Sequence, residues 1–356
     1  MSKKILILAP YPHNEAPSQR FRFEQYLNYF SENGIDWDFE PFLDNKTWKK
    51  LYAEGNVSAK IWGVVRSFLK RFILLFSIWK YDYLFIHREA SHIGPPIFEW
   101  IIAKILRKKY IYDFDDAIWL PNYSESNASF HKLKMYWKVN YCMKWAYKIS
   151  AGNQYLADYA RQFNKNVEII PTTIDTVNHH NLQTNYNQEK IVIGWTGTHT
   201  TMHYLDFLIP IIAELEKNYN FDFTIISNEA PSYPLQSLKY IKWNLSTEIK
   251  DLATISIGVM PLKQDIWSEG KCGFKGLQYM ALGIPSLMSP VGVNNQIIQH
   301  GENGYLLTTA EEWKNCLERL LQDAQLREKI GMKGKQTILE RYSVIANQPK
   351  YLNLFT

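Results

Sequence analysis

Short β-branched and aromatic runs alternate along this chain with longer stretches whose apolar residues recur at helical spacing. In the first half, strands are predicted at 4–8, 37–42, 83–87 and 110–114, with shorter ones at 150–152 and 168–170. Helical periodicity fills the intervals at 17–32, 59–79, 97–106, 130–147 and 153–162. In the second half, strands are predicted at 190–195, 223–227, 256–260, 285–289 and 305–307. Helices are predicted there at 204–217, 247–252, 271–281, 294–299, 311–321 and 323–342. Strands and helices that alternate in this way make parallel sheets covered by helices, an α/β fold. The polar stretch 175–189 lacks apolar periodicity and separates the two blocks, as a linker between domains does. Two doubly wound domains in tandem carry their ligand sites at the carboxyl ends of the strands.

Composition changes this picture little. A chain of 356 residues with 46% apolar and 21% charged residues has room for two globular cores. The three cysteines, Cys142, Cys272 and Cys316, are too sparse for a disulfide framework and lack metal-ligand spacing. The apolar run after Met1-Ser2-Lys3-Lys4 is too short for a signal peptide, so a cytoplasmic protein is expected.

Charge is more informative than composition. The formal balance of +5 is mild, yet residues 60–109 hold ten Lys/Arg against three acids. No nucleic-acid motif accompanies this excess, which favours an anionic membrane surface or an anionic substrate. Within it, Trp62, Val65, Phe68, Leu69, Phe72, Leu75, Phe76 and Trp79 recur at helical spacing, with Lys60, Arg66, Lys70 and Arg71 largely off that stripe. Such a stripe either packs on the first sheet or rests in a membrane interface, and it is too short to span one.

The chemistry concentrates between Met260 and Pro290. A strand ends at Met260, a polar loop follows, and a helix is expected to start near Lys271. Its first backbone N–H groups, at Cys272, Gly273 and Phe274, would form an anion site. Lys271 and Lys275, at i and i+4, would add two charges on one helix face, and Gly273 would let a phosphate approach the backbone. By itself this stretch reads more readily as a solvated lysine pair on an ordinary helix.

The stretch resembles the donor-binding signature of retaining glycosyltransferases of family 4, which have the GT-B fold. The ending Tyr279-Met280-Ala281-Leu282-Gly283-Ile284-Pro285 is intact. Of the two Glu positions of that signature, one is Gln278 and the other falls on Gly270, with Glu269 beside it. Ile193-Gly194-Trp195-Thr196-Gly197-Thr198-His199 resembles the strand and glycine turn where the donor pyrophosphate is approached. Thr198 and His199 stand where many members have basic residues, which shifts the phosphate load toward the later lysines. Of these, Lys271 is expected to matter more for the diphosphate.

In the first half, Pro10, Pro12 and Pro17 replace the Gly-rich loop of the family, and Arg20 is placed either to clamp a phosphate or acceptor or to make an ion pair. Asp113-Phe114-Asp115-Asp116 puts three carboxylates in four residues, costly unless solvated, paired or used. Asp113-x-Asp115 looks like the metal motif of the other glycosyltransferase fold class, but the GT-B resemblance implies that no metal is needed. Asp115 or Asp116 contacts sugar or acceptor hydroxyls, or caps a helix. Arg88 and Glu89, at another strand end, are weaker acceptor candidates.

The resemblance therefore implies an acceptor-binding domain over 1–176, a nucleotide-sugar domain over 188–336 and a helix over 337–356 that returns to the first domain. It implies transfer of a sugar from a nucleoside diphosphate sugar, the co-substrate, to an acceptor hydroxyl with retention. The acceptor would be a glycan or a lipid-linked one, as in surface polysaccharide synthesis. Asp115, Asp116, Lys271 and Lys275 would serve the reaction, and Gly197, Thr198, His199, Glu269, Gly270, Cys272, Gly273, Phe274 and Gln278 the donor. No cofactor, metal or nucleic acid is expected, and the protein would be cytoplasmic or peripheral on the inner face of the membrane. A sugar-nucleotide epimerase, or a non-catalytic nucleotide-sugar- or glycan-binding subunit, would share the fold.

Overall fold

A computed structural model describes residues 2–52, 57–121 and 131–356, with the side chains of 51, 52, 57 and 131 left aside. The chain forms two compact units. The first comprises Met1–Thr172 with Gln348–Thr356, and the second Thr173–Asn347. The polar stretch expected as a linker lies within the second unit, where Thr184 Oγ1 donates to Ile255 O at 2.7 Å.

The first unit is built on six parallel strands: β1 (Lys3–Ala9), β2 (Ile35–Pro41), β3 (Tyr83–His87), β4 (Tyr110–Phe114), β5 (Lys148–Ala151) and β6 (Val167–Ile169). Their order is β2-β1-β3-β4-β5-β6, so the winding reverses between β1 and β3. Ile5–Leu8, Leu84–Ile86 and Ile111–Tyr112 are buried, as strands covered on both faces require. The Val344–Asn353 helix carries the chain out of the second unit, and the end of the chain completes the first. Tyr351 packs 4.1 Å from Tyr26, and Phe355 packs on Phe30 and Tyr83.

The second unit has β7 (Ile191–Thr196), β8 (Phe221–Ser227), β9 (Leu238–Lys242), β10 (Ile257–Met260), β11 (Ser286–Met288) and β12 (Tyr305–Leu306). The order β9-β8-β7-β10-β11-β12 is the Rossmann order, with its switch point between β7 and β10. One sheet face is filled by Ile193, Trp195, Phe223, Ile225, Leu317 and Trp313. The other is filled by Ile226, Ile255, Tyr279, Leu282 and Ile284. Two strand glycines make the second packing possible. A Cβ on Gly194 would lie 2.4 Å from Ile255, and one on Gly258 2.4 Å from the Tyr279 ring. Tyr279 has little freedom to move aside, because its hydroxyl accepts from Thr196 N at 3.0 Å and donates to Val259 O at 3.4 Å. Gly258→Ala is accordingly expected to destabilise the protein by about 1–3 kcal/mol through overpacking, which a thermal melt against the parent will read. Unchanged melting would mean that the ring yields at no cost.

Three expectations need correction. The helix predicted over 17–32 is broken into Pro17–Arg20, a 3₁₀ turn at Glu24–Tyr26 and Leu27–Glu32, because Arg22 and Phe23 between the pieces turn inward and are fully buried. The helix predicted over 130–147 reduces to a turn at His131–Lys134 and a helix at Lys138–Trp145, and residue 130 lies outside the described residues. The third is the apolar stripe of 59–79. Trp62, Val65, Leu69, Phe72, Phe76 and Trp79 face outward, while Arg71, expected off the stripe, is buried.

Candidate active site

The switch point of the second sheet gathers most of the expected donor residues. β7 runs into Gly197, where a Cβ would lie 2.5 Å from the Trp195 ring and 2.8 Å from Lys275 Cε. The Lys275 stem thus lies against the glycine turn, with Nζ 5.4 Å from the centre of the Trp195 ring. Only a residue without a side chain fits between them. Thr198 Oγ1 and Thr200 Oγ1 share a hydrogen bond at 2.9 Å. His199 N donates to Asn228 Oδ1 at 2.8 Å, which ties this turn to the end of β8. His199 Nδ1 lies 3.3 Å from Glu229 on the exposed surface.

After β10 the chain departs from expectation. A short helix, Ile266–Glu269, is capped by Asp265, whose side chain accepts from Ser268 N at 2.7 Å. It ends at Gly270, and the next helix spans Phe274–Ala281 with Gly273 as its N-cap in the left-handed conformation (φ 68°). Lys271 and Lys275 are therefore not on one helix face. The left-handed turn at Gly273 moves the helix start past Lys271, whose Nζ lies 4.6 Å over the Trp267 ring. Lys275 is in the first turn, where a cation faces the positive end of the helix dipole, an arrangement that an anion would complete. Gly273 has no room for a side chain, since its Cβ would fall 2.4 Å from Ile297 Cδ1 and 3.2 Å from Asn294 Oδ1. That Asn294 oxygen is buried without a hydrogen-bond partner among the described residues. Gly292 (φ 53°) lets the loop after β11 rest on Glu269, whose backbone oxygen would meet a Cβ at 2.7 Å.

The remaining donor candidates divide. Glu269 Oε1 accepts from Gln264 Nε2 at 2.6 Å, Gly270 and Cys272 are buried, and Phe274 opens the helix. Gln278 is buried, with its amide nitrogen 3.3 Å from His180 Nε2. Its amide is thus engaged inside the unit.

At the strand ends of the first unit, the three carboxylates that sequence grouped are split by the end of β4, with Asp113 inside the strand and Asp115 and Asp116 beyond it. Asp113, inside β4, is fully buried. It pairs with Arg22, whose NH2 lies 2.5 Å from Oδ1, accepts from Ser150 Oγ at 2.7 Å, and accepts from His87 Nδ1–H at 2.7 Å. Arg22 also donates to Ile170 O and to Ser150 Oγ. Burial alone pushes the Asp113 carboxyl up, but the Arg22 guanidinium and the His87 bond outweigh it and hold it well below the usual carboxylate range. His87 Nε2 is buried without a partner among the described residues.

Asp115 and Asp116 instead meet Arg88, whose NH2 lies 2.6 Å from Asp115 Oδ1 and 3.0 Å from Asp116 Oδ2. Arg88 follows β3 with φ 58°, a left-handed conformation uncommon for a side chain of this size. Two bonds hold it there: Arg88 N donates to Asp113 O at 2.7 Å, and Tyr112 Oη donates to Arg88 O at 2.5 Å. Glu89 pairs with Lys138 at 2.9 Å. Burial raises its carboxyl, and Lys138 and His92 more than reverse that. Burial also pulls His92 down to about 4. Arg20 ends the Pro17–Arg20 helix, buried, with its guanidinium 4.9 Å over the Phe21 ring. Among the described residues, no group of three or more His, Cys, Asp or Glu is disposed to hold a metal ion.

Residues 190–323 match a family described as glycosyl transferases group 1. Over this segment the chain is similar to that family. No curated protein matches the chain. Solved structures match over its whole length, at identities that establish the fold. The sucrose-phosphate synthase of Thermosynechococcus elongatus is 12% identical, with 99% of this chain and 98% of that one covered and a TM-score of 0.72. The HepE protein of Anabaena in complex with UDP-glucose is 14% identical over 99% of each chain, with a TM-score of 0.70. The catalytic domain of starch synthase IV from Arabidopsis thaliana, bound to ADP and acarbose, is 10% identical over 100% and 99%, with a TM-score of 0.69. The expected GT-B architecture of two parallel sheets with helices is thus the fold of this chain.

In the second unit, sequence reading found the glycine turn and the lysines, gave Trp195 no role beyond its place in that motif, and missed Asn228 and Asn294. Asn228 follows a strand as a polar cap, which is a usable signal. Asn294 carries no signal outside its tertiary setting.

Proposed function

We propose that this protein transfers a sugar from a nucleoside diphosphate sugar to an acceptor hydroxyl with retention of the anomeric configuration. One observation carries the reading: Lys275, in the first turn of the helix headed by Gly273, lies against the Gly197 turn at the β7/β10 switch point. A glycine turn, a helix start and a lysine converging there suit a diphosphate. The acceptor oxygen forms a bond to the anomeric carbon as the bond from that carbon to the diphosphate oxygen breaks. The acceptor proton passes to the leaving phosphate on the same face. Negative charge grows on the leaving group, and Lys275 with the helix start is placed to stabilise it more in the transition state than in the ground state. Lys271, Gly197, Thr198 and His199 line the donor side. Arg88, left-handed and paired with Asp115 and Asp116, is assigned here to a glycan or lipid-linked acceptor hydroxyl. Gln278, bonded to His180, and Glu269, bonded to Gln264, serve the donor indirectly, by holding the side chains around the helix in place.

Binding through a lysine and a helix start predicts that nucleoside diphosphate affinity is the same with and without EDTA in a calorimetric titration. A strict need for Mg²⁺ or Mn²⁺ would overturn this and turn attention to Asp113, Asp115 and Asp116. Transfer itself is tested by release of free nucleoside diphosphate from UDP- and GDP-sugars. Release that depends on added acceptor supports the reading. Tight binding without turnover for any donor and acceptor pair would assign the chain a non-catalytic role.

A further inference from the structure

The Val57–Leu75 helix is built inside out. Its inner face carries Gly63, where a Cβ would lie 2.6 Å from Thr47, then Ser67 and Arg71. Ser67 Oγ donates to Gly63 O at 3.0 Å. Arg71 is buried and donates to the backbone oxygens of Ala90, Glu40 and Ala9 at 3.0, 2.9 and 3.3 Å. Burial draws this guanidinium down to about 10, so the three carbonyl bonds hold a costly group in place. The outer face carries Ile61, Trp62, Val65, Leu69, Phe72 and Ile73, continued past the helix end by Phe76 and Trp79, all exposed. At 3.6 residues per turn these positions fall within about a third of the helix circumference. Arg66 and Lys70 stand on one shoulder of that arc and pair with Asp44 and Glu40.

The apolar surface does not stop at this helix. Phe72 packs on Phe98 at 4.8 Å, and on either side of Phe98 the residues Ile97 and Trp100 are exposed, followed by Ile105 and Leu106. Beyond them Pro95, Pro96, Trp100, Trp137, Tyr141 and Trp145 line an open groove of about 330 Å³. Three helical segments of the first unit thus present one aromatic face to water, broader than the scattered exposed apolar residues of an ordinary monomer surface. Around it the cations outnumber the unpaired acids, since Asp44 and Glu40 are paired with Arg66 and Lys70. Lys80, Lys104, Arg107 and Lys144 are exposed, whereas Glu99 is buried and Glu89 is paired with Lys138. No helix among the described residues is long and apolar enough to cross a membrane.

We propose that this face of the first unit docks on an anionic lipid bilayer. Trp62, Phe76, Trp79, Trp100 and Trp137 enter the boundary between headgroups and acyl chains, where tryptophan is favoured. Lys80, Lys104, Arg107 and Lys144 meet the lipid phosphates. The proposal is independent of the sugar-transfer reading, since no donor or acceptor residue takes part.

The test uses the full chain with vesicles of phosphatidylcholine alone and of phosphatidylcholine mixed with phosphatidylglycerol. Co-sedimentation is expected to be at least about tenfold stronger on the anionic vesicles and to weaken as salt is raised. Brominated phosphatidylglycerol should quench tryptophan emission of the unsubstituted protein. A Trp62→Ser, Phe76→Ser, Trp79→Ser variant should melt like the parent, bind nucleoside diphosphate like the parent and lose vesicle binding. No binding to anionic vesicles, equal binding to both kinds, or absent quenching overturns the proposal. So does a dimer in sedimentation velocity that the triple variant converts to monomer, because a second copy would then cover the face.

Discussion

An Asp113→Asn substitution is expected to destabilise the first unit by about 3–5 kcal/mol, because it leaves the Arg22 guanidinium buried without its counter-charge. For a unit of this size the loss corresponds to a fall in melting temperature of roughly 6–20 °C. Both side chains are fully buried, so solvent cannot replace the lost partner. Removing both, as Arg22→Met with Asp113→Leu, should cost less than Asp113→Asn alone, since no uncompensated charge remains. The same pair sets an acid sensitivity. The folded carboxyl lies below its unfolded value of 3.8, so its stabilisation is fully present above that value. It is lost as pH falls through the lower folded value. Below about pH 4 the parent should therefore lose stability more steeply than the double variant. Equal melting of parent and Asp113→Asn would show that Arg22 finds another partner and that the pair does not hold the strand ends together.

The fold was readable in the sequence because its strands are short, apolar and evenly spaced, and that pattern survives any detail of packing. What escaped was set by contacts between elements. β9, at a sheet edge, mixes Leu238, Tyr240 and Ile241 with Lys239 and Lys242 and buries none of them fully, so it reads as loop. The Asn45–Tyr52 helix has five polar residues in eight, a weak apolar signal. The outward face of Val57–Leu75 could not be told from an inward one, because periodicity reports which residues share a face and leaves open which way that face points. Only the carbonyls of Ala9, Glu40 and Ala90, brought together by the fold, explain why Arg71 is the inner residue.

The site was legible in part for a related reason. Gly197 and Gly273 stand out because no side chain fits there: a Cβ on Gly197 would meet Trp195 and Lys275, and Gly273 is left-handed with Ile297 against it. The three carboxylates Asp113, Asp115 and Asp116 looked like one cluster, yet Asp113 belongs to a strand interior and the other two to the turn beyond it. Their partners Arg22 and Arg88 lie far from them in sequence, so the division between a structural lock and a strand-end pair needed the tertiary structure.

The sharpest test of the donor site compares Lys275 with Lys271. Lys275→Ala removes a charge-assisted contact worth about 1.5–3 kcal/mol, which weakens nucleoside diphosphate binding by about 10- to 150-fold. Because the leaving group gains charge along the reaction, kcat should fall as well. Lys275→Met keeps the stem that packs on Gly197 and Trp195. It should therefore retain the melting temperature while losing the same affinity, which separates charge from packing. Lys271→Ala should have the smaller effect, since Lys271 precedes the helix and lies over Trp267. This order inverts the one drawn from sequence, where both lysines were placed on a single helix. Calorimetry with UDP and GDP, together with release of nucleoside diphosphate in the presence of acceptor, reads both quantities. Parent-like binding and turnover in Lys275→Met would place the diphosphate elsewhere, and a larger loss in Lys271→Ala would restore the original order and move the phosphates toward the 270–273 turn.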